Sequence, residues 1–140
     1  MKIPLFSCRL KVTKHFSQKN SKRIFNNRLV QDPRVAAHKN ALIKQLQIKK
    51  LQNRIETITT PIQLECVFEY PETVFYTKKG TINKKLIDLS NSLQGVEDAL
   101  QSSGIIYDDN LIFSLDGSTR KPSDDNAYYL TICIYEYEIK

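Results

Sequence analysis

Three carboxylates, Asp88, Asp108 and Asp109, have the residue type and the spacing for chemistry. Carboxylate oxygens that converge hold hard divalent cations. Between the single acid and the pair, Leu89, Leu93, Val96 and Leu100 recur at helical spacing and predict an amphipathic helix with one apolar stripe. Gly104 stands where a helix stops. Ile105 and Ile106 lead to the acidic pair, and Leu111-Ile112-Phe113 then opens a strand. If that returning strand packs beside the helix start, the acids meet. Each acid also has a plainer reading. Asp88 could cap the helix, where the dipole favours an anion, and Asp108-Asp109 could be a turn before the strand.

The elements that must position these acids sit in a chain of 140 residues, suited to a single domain spanning 1–140. No apolar run approaches a membrane span, the N-terminus lacks a signal-peptide core, and a cytoplasmic, membrane-free protein is expected. Cys8, Cys66 and Cys133 have no metal spacing and read as buried, reduced thiols. The formal charge of +6 conceals a strong asymmetry. Residues 1–54 hold 14 Lys/Arg against Asp32 alone (+13), whereas residues 55–140 hold 7 against 14 acids (−7). A basic half suits phosphate binding and an acidic half suits cations; a plain charged surface is the alternative.

Taken in order, Phe6, Cys8, Leu10 and Val12 alternate with polar residues as a half-buried strand. Lys14 to Arg28 shows no period. Its Lys14, Lys19, Lys22, Arg23 and Arg28 read either as phosphate contacts or as a solvated loop. Asp32-Pro33 starts a helix that should run to about Leu51 or Asn53, with Val35, Ala41, Leu42 and Leu46 inward and Lys39, Lys44, Lys49 and Lys50 wet. His15 and His38 lack partners at metal or catalytic spacing and read as solvated or capping residues. Ile62, Leu64, Cys66, Phe68 and Tyr70 alternate as the clearest strand. A second basic patch from Lys78 ends in Lys84-Lys85 just before Asp88. Pro122 to Asn126 should turn, and Tyr128 to Tyr137 returns as a long strand. The expected class is α+β, about four strands in a mainly antiparallel or mixed sheet against two helices, ordered β-α-β-α-β-β.

Asp88-Leu-Ser-Asn91, Glu97-Asp98-Ala-Leu100 and Gly104-Ile-Ile-Tyr-Asp108-Asp109 resemble the core motif of the RusA-type Holliday-junction resolvases. That motif runs Asp-x-Asp-Asn, an amphipathic helix ending in Asp-Ala-Leu, and Gly-x-x-x-Asp-Asp. Lys19-Asn20-Ser21-Lys22-Arg23 also resembles an element near the start of some members. By this resemblance Asp88 and Asp109 match metal-binding carboxylates, Asp108 the accompanying acid, and Asn91 the motif's Asn. Ser90 departs from it by replacing the second Asp, which removes a hard ligand. Leu111 and Gln94 are further departures. Glu97, seven residues beyond Ser90 and so on the same helix face, either reaches back toward the site or stays a surface residue.

The resemblance implies a RusA-like fold and a metal-dependent endodeoxyribonuclease, using Mg²⁺ or alternatively Mn²⁺, of a bacterial cell or a phage's host. It would resolve four-way DNA junctions by paired symmetric nicks in recombination and repair, as a homodimer whose symmetry matches the junction. The basic residues Lys14, Lys19, Asn20, Lys22, Arg23, Arg28, Lys84 and Lys85 would carry the DNA. The competing expectation is a branched-DNA-binding accessory protein of the same fold without catalysis. A nuclease of flaps or forks shares the chemistry and differs only in substrate.

Overall fold

The computed structural model describes residues 2–17, 22–25 and 27–140, with backbone alone for 22–25 and 28–31. Its elements in chain order are β1 (Phe6–Val12), β2 (Lys22–Phe25), β3 (Arg28–Gln31), α1 (Pro33–Asn53), β4 (Ile62–Tyr70), α2 (Glu72–Phe75), α3 (Leu89–Ser102), a 3₁₀ turn (Asp109–Leu111), β5 (Ile112–Ser114), β6 (Thr119–Pro122) and β7 (Tyr128–Glu136). The class is α+β as expected, with a five-stranded mixed sheet and three helices rather than four strands and two.

The sheet is organised around β7. It runs antiparallel to β1 on one side, with Leu10 opposite Leu130, and antiparallel to β4 on the other, with Phe68 opposite Leu130. Beyond β4 lies a column made of two short strands, both parallel to β4: β5 meets its start at Ile62 and β6 its end from Val67 to Tyr70. Parallel pairing needs a long crossover, and α3 lies within it. Where the column breaks, the Ser118 hydroxyl accepts from the Cys66 N–H at 3.1 Å and donates to the Leu64 carbonyl at 3.5 Å, supplying the missing ladder contacts.

Helices α1 and α3 cover one face of this sheet. The inward residues of β1, β4 and β7 meet Leu42 and Leu46 of α1 and Leu93, Val96 and Leu100 of α3 in one buried core. The apolar stripe of α3 is therefore what anchors it. Val35 is half-buried and Ala41 exposed, so the buried face of α1 is narrower than the pattern implied. Asp32 caps α1 by accepting from the Arg34 N–H at 2.9 Å. Lys39 does not stay wet. Its Nζ pairs with Asp98 Oδ2 at 3.5 Å and ties α1 to α3. Of the thiols only Cys66 is fully buried; Cys8, half-buried, is pushed up to about 11 by burial.

Two further expectations are corrected. The stretch read as unpatterned contains the hairpin β2–β3, paired from Lys22 with Gln31 to Phe25 with Arg28. Asn27, between the two strands, has φ 60°, a conformation that suits such a hairpin. His15 is not solvated but 4% exposed. Its Nε2 donates to the Glu69 carbonyl at 2.8 Å. The rings of Phe68, Tyr70 and Tyr128 surround it edge-on, with centroids 4.7–5.3 Å away. Burial lowers its pKa to about 4, so the ring is neutral at pH 7.

Gly104 ends α3 with φ +80°, and the Ile105 N–H returns to the Leu100 carbonyl at 3.1 Å. A Cβ there meets only Lys50 Nζ, at 3.4 Å, so the cost of a side chain is that of the backbone conformation. Gly104→Ala is expected to lower unfolding free energy by about 1–2 kcal/mol, read by urea denaturation.

Candidate active site

Helix α3 presents acids at both its ends. Asp88 occupies the N-cap position, but its side chain caps nothing; its Oδ2 instead accepts from Asn91 Nδ2 at 3.5 Å. Asp88 thus stands where the helix dipole favours an anion but leaves its carboxylate free of a capping bond. Asp88 is exposed, as are Ser90 and the preceding Lys84 and Lys85. Arg120 from β6 reaches the same place, donating from Nη1 to the Ile87 carbonyl at 3.0 Å. Sequence reasoning missed this cation, because a polar four-residue edge strand has no apolar alternation to reveal that it lies beside α3.

The other end of α3 leads through Gly104, Ile105 and Ile106 into the acidic pair. The Tyr107 N–H bonds the Ile58 carbonyl at 2.9 Å, fixing the exit of the chain. The Asp109 N–H then donates to Gln101 Oε1 at 2.8 Å, which fastens the pair to the last turns of the helix. Asp108 Oδ1 accepts from the Asn110 N–H at 2.9 Å and caps the 3₁₀ turn. Asp109 is exposed. Its pKa is raised first by lost hydration, then by the hydrogen bond and charge of Asp108 and the charge of Asp98. Glu97 is raised as well, by desolvation first and then by the Asp109 and Asp98 charges. Glu97 thus turns to the Asp109 end of α3. The negative charge gathered there disfavours ionisation of Glu97 and Asp109, and Lys39 pairs with Asp98 beside them.

The two groups do not meet within one chain. The 14 residues of α3 span about 21 Å at 1.5 Å per residue, far beyond the reach of one ion's ligands. Among the described residues no group of three or more His, Cys, Asp or Glu could hold a metal ion. The expected convergence of the returning strand on the helix start is not found: β5 pairs with the start of β4 instead. Among the described residues, the donor set of a single chain therefore does not fit a divalent ion.

Of the basic residues, Lys14, Lys84 and Lys85 are exposed. Lys19 and Asn20 lie outside the described residues, as do the side chains of Lys22, Arg23 and Arg28 on the hairpin. No helix among the described residues is long and apolar enough to cross a membrane.

No curated protein matches the chain in a sequence search. Residues 10–133 match the family model of endodeoxyribonuclease RusA, most of the chain from within β1 to within β7. RusA endodeoxyribonucleases in general resolve Holliday junctions in DNA recombination and depend on a divalent metal. With the match running through both acidic ends of α3 and the sheet that holds them, the chain belongs to the RusA endodeoxyribonuclease family.

Proposed function

We propose that residues 1–140 form one nuclease domain that cuts four-way DNA junctions by paired symmetric nicks, in recombination and repair, as a homodimer using Mg²⁺. The observation that carries this reading is the pair of acidic groups, exposed Asp88 and half-buried Asp108 with exposed Asp109, at the two ends of one helix in a chain of this family. Asp88, Asp109, Asp108 and Glu97 are the proposed catalytic acids, the first three also the ion's ligands, with Ser90 and Asn91 shaping the helix start. Arg120, Lys84 and Lys85 flank Asp88 with positive charge that can seat a scissile phosphate. Asn91 restrains the Asp88 carboxylate, and Glu97 and Asp109, held above ordinary carboxylate pKa values, are suited to passing a proton. Lys14, Lys19, Asn20, Lys22, Arg23 and Arg28 are the proposed phosphate contacts of the arms, which makes binding strongly salt-dependent.

A homodimer also removes the difficulty of separation. In a two-fold pair, as a four-way junction requires, the Asp109 end of one α3 can meet Asp88 of the second copy. Mixing the two inactive variants Asp88→Asn and Asp109→Asn tests this with a synthetic junction in Mg²⁺. Mixed dimers with shared sites keep one intact site, and nicking of a single strand returns. No recovery on mixing, with mixed dimers shown to form, places both acids of a site in one chain.

Ser90, in place of a second carboxylate, favours one other reading: a branched-DNA-binding protein without catalysis. Junction binding without cleavage by the native chain in Mg²⁺ or Mn²⁺ would establish it.

A further inference from the structure

Asp88 leaves the start of α3 without a side-chain cap, and two bonds from the sheet hold that start instead. On the exposed side, Arg120 of β6 donates to the Ile87 carbonyl. On the core side, Tyr70 at the end of β4 reaches Ser92 in the first turn of α3, and the two hydroxyls bond each other. Tyr70 is 3% exposed and Ser92 2%. The Tyr70 ring has little freedom. It packs against His15, Tyr128 and Phe75, with centroids 4.7, 5.9 and 6.2 Å away. Its carbonyl accepts from the Ser123 N–H at 2.8 Å. The hydroxyl is therefore offered to α3 from a fixed point of the sheet. Beyond the bond, the Ser92 N–H donates to the Asp88 carbonyl at 3.0 Å and closes the turn that carries the candidate catalytic acid. Asn91, the residue before Ser92, restrains the Asp88 carboxylate.

We propose that Tyr70 and Ser92 are positioning residues, whose buried bond sets where the Asp88 carboxylate stands relative to the sheet. This rests on the DNA-cleaving reading above and adds to it a pair that touches neither DNA nor the acids. Both hydroxyls are covered by the core, so the pair acts only through the backbone turn from Asp88 to Ser92. A hydrogen bond between two elements fixes distance and direction, whereas apolar packing alone lets them slide. Displacing a reacting group by about 1 Å costs on the order of 10²-fold in rate.

Removing one hydroxyl and then both separates positioning from stability. Tyr70→Phe leaves the Ser92 hydroxyl buried and unpaired, which destabilises the fold. The double variant Tyr70→Phe/Ser92→Ala removes both polar groups, so urea denaturation should show stability returning toward native. Single-turnover cleavage of a synthetic junction in Mg²⁺ should fall by about 10–10²-fold in Tyr70→Phe. It should stay equally low in the double variant, with junction affinity unchanged in both. Amide hydrogen exchange in the first turn of α3, measured without metal or DNA, should be faster in both variants than in the native protein. Cleavage at the native rate by Tyr70→Phe, or cleavage that recovers together with stability in the double variant, overturns the positioning role and leaves the nuclease reading intact. Unchanged exchange in that turn, or affinity that falls as far as the rate, overturns it as well. A native protein that leaves the junction uncut removes the nuclease reading and the positioning role together.

Discussion

Asp109→Asn should lower the rate of junction cleavage by about 10²–10⁴-fold, the range for a group that handles a proton in the transition state. Junction affinity should stay the same or rise, because the change removes a negative charge facing a polyanion. The fold should be unaffected: Asp109 is exposed, and the bond that fastens its segment uses the backbone N–H, which asparagine retains. Single-turnover cleavage of a synthetic four-way junction gives the rate, and a gel-shift titration gives the affinity. A variant that cleaves within about threefold of the native rate would remove Asp109 from the site. An equal loss of binding and cleavage would mean that the change disturbs the DNA surface instead.

The second large effect is on stability and follows from His15. Its ring is enclosed by three aromatic rings and donates to the Glu69 carbonyl, and burial lowers its pKa from 6.5 to about 4. In the unfolded chain the ring protonates as pH falls through 6.5, while in the folded chain it stays neutral until about 4. Across that window the unfolded state binds the extra proton, so stability is full above pH 6.5 and declines toward pH 4. At 1.36 kcal/mol per pH unit the loss attributable to His15 is about 3 kcal/mol. Urea denaturation at pH 7.5 and pH 4.5 measures it, with His15→Phe as the comparison. Phenylalanine suits the aromatic enclosure but cannot titrate, so its pH dependence should be shallower by about that amount. Equal slopes for both proteins would show that the ring is hydrated in solution. Glu97 and Asp109 act in the opposite sense. Their raised pKa values mean that the folded state takes up protons more readily than the unfolded one, which is why the comparison uses the difference between two slopes.

The elements legible from the sequence are those whose side chains alternate between two environments. Strand β4 has apolar residues at every second position because one face meets the helices, and α3 has its stripe because one side meets the sheet. Asp32-Pro33 and Gly104 mark helix ends through local hydrogen bonding and backbone conformation, which need no distant partner. Strand β6 was invisible for the converse reason. Its Thr119, Arg120 and Lys121 are exposed at a sheet edge, and only pairing with β4 makes them a strand. His15 could not be read as buried because its aromatic enclosure comes from β4 and β7, more than 50 residues away. Both acidic groups were legible as acids. Their separation was not, since it depends on where β5 finds its partner, and β5 pairs at the start of β4 rather than beside the entry of α3.

The central position of β7 governs how the polypeptide can acquire its structure during synthesis. Strands β1 and β4 make no ladder with each other; each pairs with β7, which comes after every other element of the chain. Until Tyr128–Glu136 has left the ribosome, the earlier strands have only short or solvent-facing partners. The growing chain must carry Phe68, Leu64 and their neighbours uncovered, dependent on helix contacts alone. Sequence-distant pairing of this kind slows folding and prolongs the exposure of aggregation-prone surface. Assembly of the sheet is therefore a late, concerted event, and a ribosome stalled before residue 128 should hold a nascent chain that proteases cut freely.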